Sequence, residues 1–429
     1  MRKFFFWFHL CLGLCAGLII LEKCVTGIIL TYEKQINNWE RHQTVPYTPA
    51  AAGTPKLPAE DLIAQVHKEA DITPQEVTFY SSPTEPVGFS TDDMTENEGS
   101  HYFDPYTGKF LGFNTTGSRQ FFRSVNHLHR WMGLEGKQRN AAEQIFNAAN
   151  VIFFFILLSG IYLWIPRKMT WQHFKPVLLF RKKATGKARD FNWHNVIGVW
   201  AWLPLVLIVG SAIEMSYEGV RSAIYSATDS SQQGDDKKGK KKKKGGGKKG
   251  KGGDQFAKKG GGPREDAAGP GNGGERPREE ARPLNVAGLN AALAVAEQQV
   301  PGWNLVRARI PENQNAAFSF TIDKSNGGEP QEAGTLMVAR DSGQVLRWTP
   351  VEAETLGRRI EDTLRYMHTG EILGTPGETL ALVVTAGGGM LVYTGIALSL
   401  RRFSNWRKRR KRPVPVAKEK EKDATLVAS

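Results

Sequence analysis

Cysteine is scarce: three residues in 429, Cys11, Cys15 and Cys24, all inside one apolar stretch near the N-terminus. No disulfide framework, CxxC pair or CxxCH haem-attachment site exists, which excludes a disulfide-stapled secreted domain, a zinc ribbon and a c-type cytochrome. Nucleotide loops are also missing. No G-x-G-x-x-G follows a strand and no G-x-x-x-x-G-K-[ST] occurs, so no nicotinamide, flavin or ATP domain is expected. Acidic charge is in deficit, 43 Asp+Glu against 57 Lys+Arg for a net +14. That excess does not mark a nucleic-acid-binding face. Between Asp235 and Arg282 stand 16 Lys/Arg, 8 Asp/Glu and 14 of the 45 glycines, so one low-complexity stretch supplies +8 by itself.

What is present is hydrophobic length. A helix crossing a bilayer core needs about 20 apolar residues, and four segments qualify: 4–32, 141–165, 194–213 and 377–400. The first exceeds a signal-peptide core and no small-x-small cleavage site follows it. Leu14 before Cys15 also fails the small-residue requirement of a lipoprotein signal. It is read as a span. Short basic flanks favour the cytoplasm, and the 166–190 loop and the 401–429 tail are both rich in Lys and Arg. The expectation is a multi-pass membrane protein with both termini and the middle loop cytoplasmic.

The two regions left outside resemble one another. In 33–125 a helical pattern (Leu57 to Ala70) precedes strand-like text and a turn at Asp104 to Gly108. In 284–366 another (Val286 to Gln299) precedes strand-like text and a turn at Asp341 to Gly343. The fold class expected is therefore an α-helical membrane protein, four spans built as a duplicated two-helix repeat with two α+β domains outside. Because each half enters from the cytoplasm, its axis lies along the membrane normal. Residues 234–283 read as a disordered Lys/Gly-rich insert, either a solvated linker or a binder of anionic lipid or an acidic partner.

Histidine placement carries the functional argument. His9 opens span one and His194 opens span three, at the cytoplasmic face; His127 and His129 precede span two and His368 precedes span four, at the outer face. The repeat pairs His9 with His194 and His129 with His368, with His127 competing for the role of His129. Facing imidazoles in a four-helix bundle suit a b-type haem held without covalent attachment, so two haems are expected, one near each face. Gly13, Gly133 and Gly198, each four residues after a histidine, lie on the same helix side and would leave room for a flat ring. Any single histidine is also readable as an interfacial anchor. His42, His67, His101 and His173 read as surface residues.

Arg123, Arg130, Arg139 and Arg365 flank the outer histidines, either as partners of haem propionates, which Arg binds bidentately, or as interfacial anchors. Asn140, Glu143, Asn147 and Asn150 form a polar stripe that either ties helices together or lines a cofactor or proton site. Gly387-Gly388-Gly389 is expected to permit close helix or porphyrin approach. Glu22 interrupts span one without an evident reason.

Several phrases together resemble the PepSY-associated transmembrane (PepSY-TM) family: His129-Arg-Trp-Met-Gly133, Ser159 through Pro166, Asp190-Phe-Asn-Trp-His-Asn195, His368-Thr-Gly-Glu371, Tyr393-Thr-Gly395 and the Asp104/Gly108 and Asp341/Gly343 turns. The resemblance covers the chain except 234–283 and the tail. It implies a bacterial inner membrane, with the two outer domains periplasmic and PepSY-like. It also implies an oxidoreductase like the family's ferric-siderophore reductases, reducing periplasmic Fe(III) to Fe(II) in iron acquisition. His9, His194, His129 and His368 are then the axial ligands of haem b. The electron donor is a cytoplasmic protein or a quinol, and no nucleic acid is involved. The alternative is a non-redox membrane protein whose PepSY domains bind peptides or regulate proteases. A metal permease would need polar residues along the mid-bilayer path, where Glu22 alone stands.

Overall fold

The computed structural model describes residues 1–51, 53–70, 73–90, 100–113, 117–166, 168, 170–228, 285–311, 316–325, 333–350 and 353–410. The Lys/Gly-rich insert and the end of the basic tail lie outside them.

Four helices are long and apolar enough to cross a membrane. They are α1 (Arg2–Leu30), α5 (Gly136–Trp164), α7 (Gly186–Ser216) and α11 (Gly374–Arg410). In the bundle α1 and α7 each pack against both α5 and α11. Its middle is apolar: Leu157, Ala201, Leu205, Val209 and Val384 form one cluster, and Ala16, Ile20 and Cys24 another. The triple glycine serves helix approach here. A Cβ on Gly387 would meet Ile197 at 3.2 Å, and one on Gly388 would meet the Cys24 sulfur at 3.2 Å. Asn147 and Asn150 reach Ser216 of α7 at 3.5 Å, while Asn140 and Glu143 are exposed. The inner part of that stripe therefore ties helix to helix.

Beyond the bundle, α2 (Glu33–Thr44) continues from α1 and leads to α3 (Ala59–Ala70) and to β1 (Glu76–Tyr80), β2 (Val87–Ser90), β3 (His101–Phe103) and β4 (Phe110–Phe113). Then α4 (Gly117–Trp131) returns to pack on α1. The second half repeats this order. After α8 (Glu218–Thr228), α9 (Leu289–Gln299) precedes β5 (Leu305–Arg309), β6 (Phe318–Asp323), β7 (Ala333–Val338) and β8 (Val345–Thr349), and α10 (Leu356–Thr369) packs on α7. A short α6 (Trp171–Leu178) lies in the 166–190 loop.

The strands alternate as a half-buried sheet requires. Val77 and Phe79 of β1 and Phe318, Phe320 and Ile322 of β6 point into one core. The hairpin turns close where expected: Gly108 and Gly343 adopt φ of +70° and +66°, which glycine accepts without a Cβ penalty. Asp104 braces the first turn by accepting from the Tyr106 N–H and the Thr107 hydroxyl.

The two α+β segments do not stand apart. Strand β1 pairs antiparallel with β5 from Glu76↔Arg309 to Tyr80↔Leu305, so both meanders join one sheet in the order β4-β3-β2-β1-β5-β6-β7-β8. Helices α3 and α9 cover one face over a common core, and each helps cap the other. Asn290 accepts from the Glu60 N–H and Glu60 accepts from the Asn290 N–H, both at 3.0 Å. Local patterning cannot announce a pairing across more than 200 residues, so the seam is a finding of the structure.

Candidate functional site

Each of the four paired histidines is gripped the same way by the helix beside it. His9 Nδ1 lies 3.0 Å from Ser159 Oγ, His194 Nδ1 2.9 Å from Thr394 Oγ1 and His129 Nδ1 2.7 Å from Thr26 Oγ1. His368 Nδ1 lies 2.9 Å from the Ile208 carbonyl and 3.4 Å from Ser211 Oγ. The hydroxyls are committed elsewhere as donors: Ser159 to Ile156 O, Thr394 to Met390 O, Thr26 to Glu22 O and Ser211 to Ile208 O. A hydroxyl has one proton. With it given to the backbone, the oxygen accepts from Nδ1–H, and the Ile208 carbonyl can do nothing but accept. All four imidazoles are thereby held as the Nδ1–H tautomer, with Nε2 bare. That is the form in which histidine ligates a metal, its other nitrogen oriented by a neighbour.

The space around the rings comes from neighbouring helices. A Cβ on Gly160 would approach His9 Cε1 to 3.3 Å, one on Gly395 would meet His194 Cε1 at 3.5 Å, and one on Gly27 would meet His129 Cε1 at 3.7 Å. The glycines four residues after each histidine do not have this role. Gly13 has nothing within 4 Å, Gly198 faces Leu391, and Gly133, at φ +68°, follows the end of α4 near Leu128. A ring leaving its helix reaches across to the next one, so the small residue it needs lies there. Hydroxyl–glycine pairs in apolar text, Thr26-Gly27, Ser159-Gly160 and Thr394-Gly395, are the signal that could have located the cradles.

At the end of the bundle that carries the basic tail, His9 faces His194 with ring centroids 6.3 Å apart and planes at 87°. At the sheet end, His129 is held by Thr26 of α1 and His368 by Ile208 and Ser211 of α7. Burial is the main cause holding both below the ordinary histidine range. Among the described residues no three histidine, cysteine or carboxylate side chains converge. The pairs are evenly placed. From His9 to Thr26 on α1 and from His194 to Ser211 on α7 the interval is 17 residues, about 25 Å of helix.

His9 and His194, with ring centroids 6.3 Å apart, would hold one haem between them, and the bound group would supply one-electron chemistry.

The remaining sequence candidates fall around the sheet-end pair. His127 turns away to Trp131, ring centroids 5.0 Å apart, so His129 alone of the two reaches α1. Arg130 and Arg139 both stack on the Trp131 ring, at 4.5 and 3.8 Å. Arg123 is half-buried on α4 and Arg365 is exposed on α10. Hydropathy reading passes over Lys23, whose Nζ donates to the His129 carbonyl at 3.4 Å and lies 4.5 Å over the Phe146 ring. Its neighbour Glu22 keeps both carboxylate oxygens buried without a hydrogen-bond partner among the described residues.

No curated protein matches the chain. The model of the PepSY-associated TM region does, over residues 6–402, and with four candidate spans the chain is a multi-pass membrane protein of the PepSY-TM family.

Proposed function

We propose that the protein is a haem b-containing oxidoreductase of a bacterial inner membrane that carries electrons from a cytoplasmic or quinol donor to a ferric chelate in the periplasm. The observation that carries this reading is the His9–His194 pair, tautomer-fixed from both sides and spaced for one metal between them. In this reading His9 and His194 hold one haem and His129 and His368 hold another. The basic 166–190 loop and tail lie in the cytoplasm. The two halves are copies related about the membrane normal, and the sheet with its helices is a pair of fused PepSY domains facing the periplasm.

The chain's own groups have definite tasks. Ser159, Thr394, Thr26 and the Ile208 carbonyl orient the imidazoles and raise their basicity. Gly160, Gly395 and Gly27 keep the ring edges clear. The apolar middle, Leu157, Leu205, Val209 and Cys24 among others, keeps water and ions out between the pairs, which suits electron passage and not a metal permease. Bound haem supplies one-electron chemistry, and Fe(II) leaves hard oxygen donors more readily than Fe(III) does.

The test is the visible spectrum of detergent-purified protein before and after dithionite, with pyridine haemochrome quantification. Two low-spin b-type haems per chain are expected, and His129→Ala or His368→Ala should lose one of them. No haem after expression with a haem precursor would overturn the reading and favour peptide binding or protease regulation by the sheet domain. A spectrum unchanged by either substitution would overturn the sheet-end assignment.

A further inference from the structure

We propose that a groove at the tail end of the bundle is a binding site for one anionic phospholipid. Its phosphate would be held by Arg181 and Lys182, and its apolar portion laid against Trp193, Ile197 and Met390. The inference is independent of the redox reading.

The groove encloses about 450 Å³ between the 166–190 loop, the start of α7 and α11. That lies within the range of about 300–1,000 Å³ typical of small-molecule sites. Its walls divide by chemistry. Phe180, Trp193, Ile197 and Met390 are apolar, Arg181, Lys182 and Arg189 are cations, and no acid lines it. Arg189 is engaged by Asp190 at 3.0 Å and lies 5.4 Å over the Trp193 ring, which leaves Arg181 and Lys182, both exposed, for a ligand.

The loop that carries them is fastened down. Buried Asn192 accepts from the Arg181 N–H at 2.9 Å and donates to the carbonyls of Pro176 and Leu179 at 2.7 and 3.1 Å. The Trp200 indole donates to the Leu178 carbonyl at 3.0 Å. Two cations are thus held above an apolar floor at the end of a span.

Charge complementarity selects the occupant. Basic pockets between spans bind anionic headgroups, whereas a quinone has a neutral head that two cations would not favour. A free phosphate would leave the aromatic and aliphatic floor unused.

The experiment uses delipidated full-length protein in detergent, mixed with equal amounts of phosphatidylglycerol and phosphatidylcholine and read by native mass spectrometry. One phosphatidylglycerol per chain is expected, with phosphatidylcholine at background. The double variant Arg181→Gln/Lys182→Gln should weaken phosphatidylglycerol binding about thirtyfold, at roughly 1 kcal/mol per cation near an anionic surface. Lys183→Gln/Lys187→Gln removes as much charge outside the groove and should leave occupancy unchanged. Met390→Glu adds an acid to the floor and gives an independent loss, with thermal melts checking that each variant is folded. Equal retention of the two lipids, or equal losses from both double variants, would overturn the site. So would a copurifying quinone that displaces phosphatidylglycerol regardless of Arg181 and Lys182.

Discussion

His9 and His194 meet across the bundle with ring centroids 6.3 Å apart and planes at 87°, each ring tethered through Nδ1 to a hydroxyl on the next helix. Ser159 of α5 and Thr394 of α11 hold the two rings from different helices. Removing a tether should show before a ligand is lost. Ser159→Ala or Thr394→Ala is expected to weaken haem retention by about 10–100-fold, the usual effect of losing a group that orients a ligating histidine. It should also shift the low-spin electron paramagnetic resonance signal of the corresponding haem. Unchanged haem dissociation and an unchanged signal in both variants would remove the tethers from the account.

The cradle glycines make a graded prediction. A Cβ at position 160 comes 3.3 Å from the His9 ring, where the neighbour must yield. One at 395 comes 3.5 Å from the His194 ring, an ordinary contact. Gly160→Ala should therefore reduce haem content more than Gly395→Ala, and Gly395→Leu should reduce it severely, all read per chain by pyridine haemochrome. Retention in the reverse order would contradict the assigned cradles.

Asp190 is 1 % exposed and lies between Arg189 and Arg401, at 3.0 and 2.6 Å. It joins the start of α7 to the end of α11. Both arginines are partly exposed, so solvent screens the pair and its loss costs less than that of a fully buried one. Asp190→Asn should lower the detergent unfolding midpoint measurably, and the sheet, remote from this contact, should keep its near-ultraviolet signature.

A pair of carboxylates at the start of α10, Glu354 just before it and Asp362 within it, gives a pH prediction. Asp362 and Glu354 are held above their usual range, mainly by burial, with Arg358 opposing the shift. A folded-state pKa raised above the unfolded one means the folded state binds more protons. The stabilisation is present at low pH and lost as pH rises through the folded value. In Asp362→Asn the fall in unfolding temperature between pH 4 and 7 should be shallower than in the parent. An identical slope would show that this carboxyl does not contribute.

The four spans were legible from hydropathy, the turns at Gly108 and Gly343 from their residues, and the approach of His9 to His194 from position. The cradles were misread because helical spacing relates residues along one helix, while an imidazole is enclosed by the next. Lys23 escaped because a single charge barely lowers the mean hydropathy of a long apolar run, although in the fold it touches the His129 carbonyl. The β1–β5 seam could not be foreseen, since Glu76 and Arg309 carry no mark that one should lie opposite the other.

That seam has a mechanical consequence. Five residue pairs and an undivided hydrophobic core hold the two sheet halves as one plate, and α4 and α10 fix the plate to α1 and α7. Tilting one half of the bundle against the other would tear strands apart and open that core to water. Movement of one half of the bundle against the other is therefore resisted at a sheet that neither half owns alone.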